Sequence, residues 1–166
     1  MNTFDNLISP ELCHELITYV NTQSLEHVDR GDMASYDRHI MINTELADTL
    51  YAAIKPHLPP EIPTIRCNEY FRFSKYKPGE EFKLHRDGMN QDKFGNRAKF
   101  TLNIFLNSDF TGGETDFYDE SHNRVIRAVP CAGRGAVFDR EILHCGCPVA
   151  DGHKYLIRTD VMVSGM

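Results

Sequence analysis

The chain has 166 residues, with 18 basic and 24 acidic side chains and a net charge of −6 when histidine is neutral. That length suits one domain whose core needs no disulfide staples. The acidic balance argues against a nucleic-acid partner, because binding along a phosphate backbone needs clustered Lys and Arg.

The opening stretch MNTFDNLISPELCHELI has no basic segment ahead of an apolar one, so no leader is expected. No apolar run approaches the roughly 18 residues of a membrane span, so no membrane partner is expected either. Five cysteines, Cys13, Cys67, Cys131, Cys145 and Cys147, lack a regular framework and read as reduced thiols in a cytoplasmic protein.

Ser9-Pro10-Glu11 has the form of a helix start: a hydroxyl cap, proline in the first turn and an acid beside it. Leu12, Leu16, Ile17 and Val20 continue at helical spacing until Asn21-Thr22-Gln23-Ser24. Residues 26–39, EHVDRGDMASYDRH, show no period and read as a long polar loop. A second helix is expected from Asn43 or Thr44, with Leu46, Leu50 and Ile54 as its apolar stripe and Pro56 as its stop.

After LPPEIP the texture changes. Tyr70, Phe71, Phe73 and Tyr76 crowd a strand that ends at Lys77-Pro78-Gly79. There follow EFKLHRDG, a polar loop from Met89 to Arg97, and the strand KFTLNIFLN. After a turn at Asp109–Gly113 come short strands near 114–118 and 123–129, then AVF and HKYLIRTDVMV. Short strands divided by Gly/Pro turns, with helices at one end, predict a mainly β (α+β) sandwich or barrel. It is read as one domain, 1–166, with a helical part over 1–60 and a β core over 61–166.

In EFKLHRDG, His85 and Asp87 are two apart on an expected strand, so both face one side. With eight histidines, roughly one such pair arises by chance, and the chain contains a second in His27 and Asp29. The latter lies in the period-free stretch and reads as surface or lid. The deciding segment is LHCGCPVADGHKYLIRTDVMV. On its last strand Lys154, Leu156 and Arg158 share a face, and two cations projecting together from an acidic protein call for an anion. The run His144-Cys145-Gly146-Cys147 also has zinc-type donors. Strand alternation, however, turns Cys145 away from His144, and no second such pair follows.

These residues resemble the Fe(II)- and 2-oxoglutarate-dependent dioxygenases, in particular the prolyl 4-hydroxylase-like branch. The resemblance spans roughly residues 66–163 and its parts fall in family order: Tyr76 before Pro-Gly, Phe82 three residues before His85, the HRD triplet, TLNIFLN followed by GGET, a Gly-x-Ala-Val-Phe strand, and His144 with Pro148-Val149-x-x-Gly152-x-Lys154. It implies a double-stranded β-helix (jelly-roll, cupin-like) with the N-terminal helices packed on one sheet. It implies Fe(II) held by His85, Asp87 and His144, a donor set that leaves three positions open for 2-oxoglutarate and O2. Ascorbate is the implied reductant. Lys154 is the implied partner of the distal carboxylate, with Arg158, Tyr76 and Asn103 around the co-substrate.

Thr101, Asn103 and Phe105 should form the inward face of KFTLNIFLN. Phe105 stands where some relatives carry a tyrosine that donates to that carboxylate, which gives Arg158 more of the work. Arg72 shares a face with Tyr76 and belongs to the pocket.

The functions consistent with this pattern are an oxygenase that hydroxylates a peptidyl proline or a small polar metabolite, a non-redox metal enzyme on the same jelly-roll, and a module that senses 2-oxoglutarate or iron. The intact triad with Lys154 favours the first. The stretches 26–39 and 89–97 are the expected rims of the substrate entrance.

Overall fold

A computed structural model describes residues 1–164. A short strand, β1 (Asn2–Phe4), precedes helix α1 (Pro10–Asn21), whose start is fixed by the Ser9 hydroxyl accepting from the Leu12 N–H at 3.2 Å. Strands β2 (Glu26–Asp29) and β3 (Ser35–Ile42) lead to helix α2 (Thr44–Ile54), capped by Asn43 accepting from the Leu46 N–H at 2.9 Å. Pro56 sits in a short 3-10 turn, Lys55–His57, that closes α2. Both helices thus stand where their caps and stops predict them.

The remaining strands begin with β4 (Thr64–Cys67), β5 (Tyr70–Tyr76), β6 (Phe82–His85) and β7 (Arg97–Phe105). Then come β8 (Thr111–Gly112), β9 (Thr115–Tyr118), β10 (Arg124–Ala128), β11 (Gly135–Asp139), β12 (Leu143–Gly146), β13 (Val149–Asp151) and β14 (Lys154–Val163). They form a large antiparallel sheet, β1-β11-β7-β14-β5-β3-β2 with β4 beside β14, and a smaller one, β10-β9-β12-β6. A ribbon of β13 and β8 completes the jelly-roll.

Alternation along the large sheet divides its two faces. Phe71, Phe73, Leu102, Ile104 and Ile157 pack against Leu16 and Val20 of α1 and Leu50 and Ile54 of α2. The other face meets the small sheet through Phe105, Phe138 and Leu156, which close on Phe117; the Phe117 and Phe138 rings meet edge to face at 4.9 Å. Arg72, Asn103 and Arg158, one residue out of phase with the helix-facing set, are therefore aimed between the sheets.

Residues 26–42 depart from the expected loop: they are a hairpin that extends the large sheet at its edge. Its backbone ladder is flanked by polar side-chain pairs rather than by an apolar period, with His27 against Asp37 at 2.8 Å and Arg38 against Glu26 at 2.6 Å. An outermost pair buries only Val28, Ala34 and Tyr36, so the polar stretch hides its strand character. Residues 1–60 are accordingly not a separate helical part, since β1, β2 and β3 all belong to the main sheet. Of the expected core 61–166, residues 165–166 lie outside the described residues. No helix among the described residues is long and apolar enough to cross a membrane.

Leu50 is 1% exposed beneath the large sheet. Leu50→Ala is expected to lower unfolding free energy by about 2–5 kcal/mol in urea titrations, through lost transfer energy and the cavity left behind.

Candidate metal centre and its pocket

His85 ends β6, Asp87 follows two residues later, and antiparallel pairing sets His144 of β12 directly across from His85. Nδ1 of His85 lies 2.7 Å from the Lys83 carbonyl, and Nδ1 of His144 lies 2.8 Å from that of Ile142. Each ring donates Nδ1–H to the backbone and turns its Nε2 lone pair inward, the tautomer a metal ligand requires. The two Nε2 atoms stand 3.6 and 3.8 Å from Asp87 Oδ1. Three donors about 2.1 Å from one ion at right angles are about 3 Å apart, so a contraction of under an ångström closes this set on a metal.

Electrostatics suit the same end. Burial pushes His144 down to about 4 against the attraction of Asp87, so its imidazole is neutral at pH 7. Burial works against the Asp87 charge, but the Arg158 guanidinium and the Thr101 hydroxyl outweigh it and hold the carboxyl well below its usual range. Thr101 donates to Asp87 Oδ2 at 2.5 Å and Arg158 Nη2 lies 3.0 Å from the same oxygen, which leaves Oδ1 to face the imidazoles.

The imidazoles open on a cleft of about 560 Å³ between the sheets, whose lining includes Arg72, Tyr76, Asn103, Lys154 and Arg158. Lys154 is 2% exposed, yet its ammonium forms no ion pair among the described residues. It lies instead over the rings of Tyr76 at 5.0 Å and Phe105 at 5.6 Å. Burial pushes it down to about 8, with Cys147 and Glu114 pulling the other way. Phe105 thus supplies a ring face beneath the cation.

Arg158 is differently placed. It pairs across the sheet with Asn103 and contacts Asp87, while its Nε and the Asn103 Oδ1 are buried without partners. Of the expected pocket residues, Thr101 and Phe105 stand behind the cleft wall, against Asp87 and Lys154 respectively, and Arg72 lines it. His27 and Asp29 lie away from this cleft, His27 paired with Asp37 and Asp29 accepting from the Gly31 N–H at 2.8 Å. Cys145 faces Asp116 and Cys147 rather than His144, so the expected split of the HCGC run across two faces is present.

Three residues escaped the sequence reading. Asp160, 1% exposed, accepts from Asn90 Nδ2 at 2.6 Å, from Arg72 at 3.4 Å and from Arg140. Two residues beyond Arg158, it extends the alternation that picked out Lys154 and Arg158, so a signal was there. Arg140 also bonds the Gly88 carbonyl, while its own carbonyl accepts from the Asp87 N–H at 3.0 Å. No pattern in FDREILH marks it. Tyr36 enters the cleft from the hairpin that read as a loop, its ring 5.2 Å from that of Tyr76.

A second cleft, of about 850 Å³, opens beside the first and shares Arg72 with it. Ile40, Tyr70, Asn90 and Lys93 line it, so the 89–97 stretch does form a rim.

Asp160→Asn is expected to lower stability by about 3–5 kcal/mol, because it leaves the Arg140 guanidinium buried without its anion. The same variant should bind Fe(II) more weakly than wild type in anaerobic titration, since the 87–90 segment loses its tie to the sheet.

Comparison with known proteins matches residues 71–159 to the family model of the 2OG-Fe(II) oxygenase superfamily. No curated protein matches the chain. Among solved structures, the viral collagen prolyl hydroxylase of Paramecium Bursaria Chlorella virus-1, in its 2OG complex, aligns at a TM-score of 0.74 and 20% identity, over 98% of this chain and 96% of that one. A Pseudomonas putida prolyl-4-hydroxylase aligns at 0.75 and 18% identity, over 99% and 92%. A Trichoplax adhaerens prolyl hydroxylase, complexed with a hypoxia inducible factor oxygen degradation domain peptide fragment, aligns at 0.74 and 14%, over 97% and 82%. These likenesses establish a shared fold. The family model covers more than half of the chain, from the strand before the first imidazole to the strand that carries Lys154, and on that ground the chain belongs to the 2OG-Fe(II) oxygenase superfamily and is a 2-oxoglutarate-dependent dioxygenase.

Proposed function

We propose that His85, Asp87 and His144 hold the Fe(II), that Lys154 pairs with the distal carboxylate of 2-oxoglutarate, and that the enzyme hydroxylates a peptidyl proline. The observation that carries the site assignment is the convergence of three donor atoms beside a cleft that also holds a buried ammonium with no ion pair among the described residues. When bound, Fe(II) and 2-oxoglutarate supply the O2-dependent oxidation that releases succinate and CO2.

The chain's own residues do the rest. Lys154 makes a charge-assisted bond in a place walled from water by Tyr76 and Phe105, where the attraction is weakly screened. Arg158 and Thr101 keep Asp87 ionised and aimed through contacts to its Oδ2. Asn103 Oδ1 and Arg158 Nε lack hydrogen-bond partners among the described residues and offer polar contacts to the bound ligand. Arg158 therefore acts as a brace and Lys154 as the anchor.

The peptide assignment is supported by the second cleft. Exposed Ile40 and Tyr70 stand there beside the amide side chains of Asn68, Asn90 and Gln91, a mixture suited to a main chain with an apolar side group. The three solved neighbours named above are prolyl hydroxylases, one of them with a peptide bound. A small polar metabolite is the second reading, favoured by the Arg72 guanidinium where the two clefts join. A cytoplasmic setting is supported by five cysteines that are all free.

Anaerobic Fe(II) plus 2-oxoglutarate should give a weak visible charge-transfer band, and air should then yield succinate. Proline-containing peptides incubated with the enzyme should gain one oxygen by mass spectrometry, and His85→Ala should abolish the gain. Oxygen appearing only on small metabolites would replace the peptide reading with the second.

Lys154→Ala should raise the 2-oxoglutarate Kd by about tenfold or more while leaving Fe(II) affinity near wild type. The same selective loss in Arg158→Ala, and none in Lys154→Ala, would exchange the two roles.

The pH dependence follows from Lys154, which burial brings from 10.5 down to about 8 in the ligand-free pocket. Only the ammonium form pairs with a carboxylate. The 2-oxoglutarate Kd should thus be flat below that value and rise by about tenfold per pH unit above it, and Lys154→Arg should flatten the rise.

A further inference from the structure

Where β12 ends, the chain carries a pair of thiols for which the iron site has no use. Cys145 and Cys147 flank Gly146, and their sulfurs and an Asp116 carboxylate oxygen lie within 4.8 Å of one another. Both cysteines are partly open to solvent. The set has the donor atoms of a soft-cation site, but Asp116 is already committed. Arg127 donates to its two oxygens at 2.7 and 2.6 Å, and Arg124 stands 3.5 Å away. Two guanidinium groups on one carboxylate repel a divalent ion, and Arg127 also stands 4.0 Å from Cys147 Sγ, so the thiols are left without a metal to hold.

We propose that Cys145 and Cys147 are an oxidation site, converted by hydrogen peroxide to an intramolecular disulfide that weakens 2-oxoglutarate binding. One thiol attacks the peroxide O–O bond, giving a sulfenic acid and a first water. The second thiol displaces the hydroxyl from that sulfur, forming the S–S bond and a second water. Two electrons pass from the sulfurs to peroxide, and a thiol reductant reverses the change.

The link to the pocket is geometric. A disulfide needs about 2.05 Å between sulfurs, so drawing these two together strains the single residue between them. That residue, Gly146, has Lys154 Nζ beside it: a β-carbon there would stand 3.8 Å from the ammonium. The pairing of β12 with β6 already shifts between His144 and Gly146, so this is the yielding point of the strand. Moving it moves the wall next to Lys154. The coupling rests on the assignment of Lys154 as anchor; formation of the disulfide does not.

The full chain is treated with hydrogen peroxide, quenched, alkylated and mapped by peptide mass spectrometry. The 2-oxoglutarate Kd is then measured with Mn(II) in place of iron. The expected result is a peptide spanning Cys145 and Cys147 that has lost two hydrogens and resists alkylation. With it the Kd should rise by about fivefold or more, reversed by dithiothreitol and absent in Cys147→Ser. Thiols that stay alkylatable, a single sulfur oxidised without a cross-link, or a pair shielded by stoichiometric zinc would each overturn the oxidation site. A disulfide with unchanged affinity would overturn the coupling. If Lys154→Ala leaves 2-oxoglutarate affinity intact, the anchor assignment has failed whatever the cross-link shows.

Discussion

The pocket depends on buried carboxylates set between guanidinium groups. In the register of the large sheet, Arg158 of β14 lies directly opposite Arg72 of β5, an arrangement of like charges that destabilises a bare strand pair. Asp160, next along the same face, accepts from Arg72 and Arg140 and stands 3.9 Å from Arg158. Asp87 stands 3.0 Å from the same Arg158 nitrogen, Nη2. The guanidinium groups are tolerable because two carboxylates are interleaved with them, and neither member of such a lattice can be removed without exposing the charge of the rest.

That lattice also explains how a residue outside regular structure is held to the tolerance a metal site needs. Asp87 lies beyond the end of β6 and would be free to swing. Its N–H is taken by the Arg140 carbonyl, the Arg140 guanidinium reaches on to the Gly88 carbonyl, and Asn90 donates to Asp160. The segment from 87 to 90 is thereby stitched to the large sheet while His85 and His144 belong to the small one. The three candidate ligands therefore span both sheets, so an ion held by them would tie the two halves of the jelly-roll together.

What could be read from the sequence divides along the same physical line. Elements that carry their own local signal were legible: Ser9-Pro10 and Asn43 as helix caps, and the period of two that aligns Lys154 with Arg158 on β14. His85, Asp87 and His144 could be picked out together because their order and spacing follow a family pattern, and their side chains do converge. The edge hairpin was not, because an outer strand pair flanked by Glu26–Arg38 and His27–Asp37 has no apolar period to show. Arg140 and Tyr36 were hidden for a different reason. Their roles come from partners 20 to 40 positions away, Asp160, Thr101 and Tyr76, and no local pattern encodes a contact of that range.

The remaining irregularities of the molecule collect in one place, and that concentration is itself an argument about function. Folded chains satisfy their buried polar atoms almost without exception. Among the described residues three buried side-chain atoms lack a hydrogen-bond partner, and two of them, Asn103 Oδ1 and Arg158 Nε, belong to residues that line this cleft. Lys154 adds a buried cation without an anion, and burial accordingly drives its ammonium toward the neutral form. Each feature opposes folding when taken alone. Together they suit the polar, anionic ligand proposed for this cleft, with the lysine offered at one point and the amide and guanidinium at others. A fold that carries such defects in its large sheet is one a bound ligand would complete, so the groups that weaken the ligand-free protein are the ones that would make it selective.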